Sequence, residues 1–155
     1  MSTALAKKKT SPSAGLVNVC INGQFKKISL SSLAPAKIIK LVQNGLNIHE
    51  LDALQASLAV PMETLATKLG ISKATLHRRK AEGRLDPAES DRVVRFARLM
   101  GQAVKVFGSE AEAREWLSAP QFGLGEAVPL DYAETEIGAR EVENLLGRIA
   151  YGVYS

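Results

Sequence analysis

Only one cysteine, Cys20, occurs among the 155 residues. It has no partner for an internal disulfide and no second thiol to complete a zinc-site spacing, which points to a reducing, cytoplasmic compartment. Long apolar runs are also missing, and none approaches the roughly 20 residues of a bilayer-spanning helix. Lys7, Lys8 and Lys9 are followed by the polar stretch Thr10 to Ser13, where a secretion signal would need an apolar core. Histidines number two, His49 and His77, and they fall on separate segments. With no nucleophile–base pairing, no metal-ligand cluster and no glycine-rich phosphate cradle, nothing reads as an enzyme site, and no cofactor is called for. What remains is ordinary for a globular chain: 46% hydrophobic and 23% charged residues. At this length, one compact unit or two small ones bury roughly two thirds of the unfolded surface.

The net charge of +4 is unevenly spread. Residues 1–60 hold seven lysines and two acids, and residues 61–100 hold nine basic and five acidic residues. Residues 101–155 reverse the balance, with four basic and nine acidic side chains. The front two thirds therefore suits a polyanion, whereas the last third would be repelled by phosphate and suits a protein partner.

The chain reads as three parts, 1–33, 34–107 and 108–155. Residues 1–14 are small, polar and basic, as in a mobile tail. Asn22-Gly23 between Leu16–Ile21 and Gln24–Leu30 predicts a short β-hairpin, because both turn positions tolerate positive φ. From about Pro35 onward the pattern is mostly α. Asn47 and Glu50 form a capping pair ahead of Leu51, Leu54 and Leu58 at helical spacing. Pro61 fits a first helical turn. Asp86-Pro87-Ala88-Glu89 starts a long helix whose inner face is Val93, Ala97, Met100, Val104 and Phe107. Ser109 opens a shorter helix carrying Trp116 and Leu117, and Val142, Leu145, Leu146 and Ile149 mark a last amphipathic helix. Trp116 and this last stripe read as core, Gly125 and Gly138 as turn and cap positions, Pro120 and Pro129 as helix punctuation, and His49 as a surface residue.

Residues 61–83 carry the clearest spacing. Leu65 and Leu69 share a face with small Ala66 beside them, Gly70 permits a tight turn, Ile71 plugs the space between two helices, and Leu76 points back inward. That is a helix-turn-helix, which offers the leading turns of its second helix to the major groove. Ser72, Lys73, Thr75 and His77 fall nearest the bases, and Arg78, Arg79 and Lys80 nearest the phosphates. At Arg79 the generic motif has an apolar residue instead. A basic, solvated helix in a small bundle is the plainer alternative.

In the acidic third, Trp116-Leu117, Ala119-Pro120, Leu124-Gly125, Val128-Pro129-Leu130-Asp131, Gly138, Val142, Leu146 and Gly152 form one ordered pattern. From about Lys37 to Ser155 the chain resembles the Xre/MbcA/ParS antitoxins, in particular the Xre partners of RES-domain toxins. The resemblance implies a helix-turn-helix region for DNA binding and dimerisation over 34–107 and a small helical toxin-binding domain over 108–155. It implies a bacterial, non-enzymatic homodimer that neutralises a RES toxin, which consumes NAD, and represses its own operon. The blocking end would be Arg148, Tyr151, Gly152, Val153, Tyr154 and Ser155; tyrosine and arginine are frequent interface anchors. The competing expectation is a stand-alone transcription regulator whose C-terminal part senses a ligand or oligomerises.

Overall fold

The computed structural model describes residues 16–21, 24–29 and 33–152. The tail over 1–14, the hairpin turn Asn22-Gly23 and the terminal residues Val153, Tyr154 and Ser155 lie outside the described residues. Strand β1, Leu16–Ile21, pairs antiparallel with β2, Gln24–Ser29, in a register from Leu16↔Ser29 to Ile21↔Gln24. That register leaves two residues between the strands, as the Asn-Gly reading requires.

Eight α-helices follow among the described residues: α1 Pro35–Asn44, α2 His49–Leu58, α3 Met62–Lys68, α4 Lys73–Glu82, α5 Pro87–Phe107, α6 Glu110–Leu117, α7 Pro129–Tyr132 and α8 Glu136–Ala150. A 3₁₀ turn at Phe122–Leu124 lies between α6 and α7. Helix α5 is the spine, with α1 and α2 packed on it as well as α6 and α8. Its start is a complete capping box: Asp86 Oδ1 accepts from the Glu89 N–H at 2.7 Å, and Glu89 Oε1 accepts from the Asp86 N–H at 3.0 Å. Val93, Phe96, Leu99, Met100 and Ala103 are buried along it, so its inward stripe touches both ends of one continuous core running from Leu46 to Leu146. Each large side chain of this kind contributes about 1.5–3 kcal/mol by leaving water.

The cap expected at Asn47 takes a different form. Helix α2 starts after Ile48, Asn47 Oδ1 accepts from the His49 N–H at 2.9 Å, and Glu50 is buried. A clasp between two loops supersedes the capping pair. The Ile48 N–H donates to Gly83 O, and the Leu85 N–H to Leu46 O. Buried Ser90 accepts from the Leu46 N–H at 2.8 Å and donates to Asp86 O at 2.7 Å. These bonds satisfy backbone groups that burial would otherwise penalise.

In the last third, Ser109 caps α6, Ala113 and Leu117 are buried, and half-buried Trp116 lies 5.5 Å from the Phe107 ring. Val142, Leu145 and Leu146 are buried and Ile149 packs against them, as the periodicity predicts. Gly138 has a sharper role than a cap. It sits in the first turn of α8, its N–H donates to Thr135 Oγ1 at 3.0 Å, and a Cβ there would lie 1.7 Å from the Tyr132 carbonyl oxygen. Only glycine lets α7 and α8 approach so closely. Gly138→Ala is therefore expected to destabilise the fold by about 2–4 kcal/mol in chemical denaturation, with the loss arising at the α7–α8 corner.

Candidate functional site

Helices α3 and α4 are joined by a turn whose parts match the sequence reading. Gly70 has φ +71°, Ile71 is buried, and the Ile71 N–H donates to Ala66 O at 2.8 Å. Ser72 caps α4, accepting from the Thr75 N–H at 3.2 Å and donating to Thr75 Oγ1 at 2.9 Å. From α5, Arg92 donates to the Leu69 carbonyl at 3.1 Å, which secures the end of α3 where helical carbonyls lack partners.

Helix α4 divides cleanly by face. Leu76 is buried; Ser72, Lys73, His77, Arg78 and Lys80 are exposed, and Thr75 is half-buried. Arg79 departs from expectation. Read as a phosphate contact, it instead points inward one turn after Leu76. Its Nε donates to Glu89 Oε1 at 2.7 Å, Nη2 to Asp86 Oδ2 at 3.2 Å and Nη1 to Glu82 Oε2 at 3.3 Å. The hydrogen bond to Glu89 raises the guanidinium pKa further, so the group stays cationic. An (i, i+3) step from Leu76 puts position 79 on the buried face, which explains why the generic motif is apolar there. Here an arginine fills the position, its guanidinium meeting buried Glu89 and the more exposed Glu82 and Asp86.

The end of α8 carries the second group of expected site residues. Arg148 is half-buried, Tyr151 is 86% exposed, and Gly152 turns the chain with φ +71°. Sequence reasoning missed Phe122, 85% exposed in the 3₁₀ turn, and Ile137, 78% exposed on α8. Ile137 was findable, since it falls opposite the phase of Val142, Leu145 and Leu146. Phe122 carries no periodic signal.

Charged contacts tie the two regions together. Lys68 on α3 pairs with Asp131 and lies 3.8 Å from Glu134; Arg95 Nε on α5 lies 3.3 Å from Glu136. Gln102 donates to the Glu143 carbonyl and Arg114 to the Ser57 carbonyl. A groove of about 530 Å³ between α5 and α8 is lined by Asp91, Arg95, Arg98, Glu136, Arg140 and Glu143, among others. Its charges of both signs largely answer one another. Among the described residues, no helix is long and apolar enough to cross a membrane.

Residues 38–98 match the Antitoxin Xre-like helix-turn-helix domain, and residues 102–152 match the Antitoxin Xre/MbcA/ParS C-terminal toxin-binding domain. An Antitoxin Xre of Yersinia enterocolitica is 34% identical over 133 residues, covering 84% of this chain and 90% of the relative. The chain belongs to the Xre antitoxin family. An Antitoxin Xre of Photorhabdus laumondii is 30% identical over 136 residues, covering 86% and 92% of the two chains. A Sphingobium protein named Prs ADP-ribosylating antitoxin is 27% identical over 141 residues, covering 84% and 89%. As an Xre antitoxin, the chain carries one domain for a toxin and one helix-turn-helix of the DNA-binding type. The two matches meet inside α5, between residues 98 and 102.

The opposed orientations of two adjacent arginines can be tested by thermal unfolding. Arg79→Ala strands the buried Glu89 carboxylate and is expected to lower the midpoint by roughly 5 °C or more. Arg78→Ala, on the exposed face, should leave the midpoint within about 2 °C of the unmutated antitoxin.

Proposed function

We propose that this antitoxin neutralises a RES-type, NAD-degrading toxin by laying its C-terminal end over the toxin's active-site entrance. The residues placed in that role are Arg148, Tyr151, Gly152, Val153, Tyr154 and Ser155. The observation that carries the reading is Tyr151, a large aromatic side chain held 86% exposed at the end of a helix inside the toxin-binding domain. Such a side chain gains most when a partner covers it. The acidic balance of the last third supports a partner with a basic rim. The relative named for ADP-ribosylation supports a second reading of the toxin, in which NAD is used to modify a target rather than degraded. In both readings the antitoxin itself is non-enzymatic.

The same chain, working as a cytoplasmic homodimer, represses its own operon through α4. Two recognition helices related by a two-fold axis fit half-sites about one helical turn apart. Ser72, Lys73, Thr75 and His77 lead into the groove, and Arg78 and Lys80 hold phosphates. Arg79 acts as a positioning residue, because its nitrogens are occupied by Glu82, Asp86 and Glu89.

Co-expression with the toxin from the adjoining reading frame tests the first half. Deleting residues 151–155 is expected to abolish growth rescue while leaving the fold intact; full rescue by the truncated chain would refute the masking role. Binding titrations at several salt concentrations test the second. Arg78→Ala should weaken operator binding about equally across sequences and reduce the salt slope by about 1, whereas Thr75→Ala should change base preference. Neutralisation should survive both substitutions.

A further inference from the structure

The outward face of α8 carries a second set of features that the C-terminal end does not account for. Counting at 3.6 residues per turn from Ile137, the positions 141, 144, 148 and 151 fall on one line, and 140 and 147 lie beside it. This stripe is opposite the buried Val142, Leu145 and Leu146. Over about 21 Å it runs from exposed Ile137 to exposed Tyr151, with two large apolar side chains at its ends.

Beside it, one turn before Tyr151, is Gly147. Two other glycines of this region have internal reasons to be glycine. A Cβ at Gly138 would strike the Tyr132 carbonyl, and one at Gly123 would come within 2.7 Å of Leu145. Among the described residues, a Cβ at Gly147 would meet nothing within 4 Å. Gly147 adopts helical backbone, where glycine is the least favourable residue after proline, and no described neighbour asks for it.

We infer that the outer face of α8 is a docking surface for the toxin, in which Gly147 is a notch for the toxin's close approach. This rests on the toxin-binding reading above and extends it from the last residues to the whole length of the helix. The toxin is the occupant because the stripe lies entirely within the toxin-binding domain and runs without a break into the proposed masking end. Ile137 and Tyr151 supply the apolar contacts at either end, and the bare backbone at 147 lets a toxin segment lie against the helix between them.

The test uses the full-length antitoxin and the purified RES-domain toxin from the adjoining reading frame, with affinity, melting temperature and self-association measured in parallel. Gly147→Ala should raise the melting temperature of the free antitoxin by about 1–3 °C, because alanine favours helix and the space is open. The same substitution should weaken toxin binding at least tenfold, and Ile137→Ser, 15 Å away by about 1.5 Å per residue, should weaken it by about tenfold without lowering the melting temperature. This combination, a more stable antitoxin that binds worse, is what a purely structural glycine would not produce. Unchanged toxin affinity in both variants would overturn the inference while leaving the masking reading intact. Loss of self-association with toxin affinity retained would overturn it in favour of a contact between copies of this chain. Failure of the unmutated antitoxin to bind the toxin would sink the parent reading and this one together.

Discussion

The orientation of the recognition helix depends on one buried carboxylate. Glu89 closes the capping box of α5 and, with the same oxygen, accepts from Arg79 on α4. A carboxylate so enclosed needs both partners, since a lone buried charge would cost far more than it returns. Arginine suits the position for geometric reasons. Its fork reaches Glu82, Asp86 and Glu89 at once, which a lysine, as a single point charge, would not reproduce. The start of the spine and the pitch of the recognition helix are thereby fixed by the same few atoms.

Much of this was legible beforehand. The long helix announced itself through Asp86, Pro87 and Glu89, and the turn through Gly70 and Ile71, because local chemistry at caps and turns is short-range. The inward stripe of α8 followed from its period. What escaped were decisions made between elements. Glu50 lies in a plausible capping pattern yet is buried, because the clasp of Leu46 with Leu85 and Ser90 determines how that segment enters α2. Arg79 reads as one more cation in a basic run until Leu76 is used to set the phase. Gly138 resembles a cap until the Tyr132 carbonyl, six residues back, is seen to occupy the space its side chain would need.

Among the site residues, the sequence reading distinguished chemistry better than direction. It put the cations on α4 as a group but could not separate the exposed Arg78 from the enclosed Arg79. In the last third it singled out the terminal residues through resemblance, while Ile137 and Phe122, both exposed, stand outside any motif. Exposure is a property of the packed whole, and a side chain's freedom is known only when its neighbours have been assigned elsewhere.

The two family matches meet in the middle of a helix rather than in a loop, and that has a thermodynamic consequence. A flexible linker would let each half melt separately. Here Phe96, Leu99, Met100 and Ala103 are fully enclosed on either side of the join, and Lys68 and Arg95 bridge the surfaces above it. Opening the spine for either half exposes the interior of the other, so the two halves are expected to denature together rather than in separate steps.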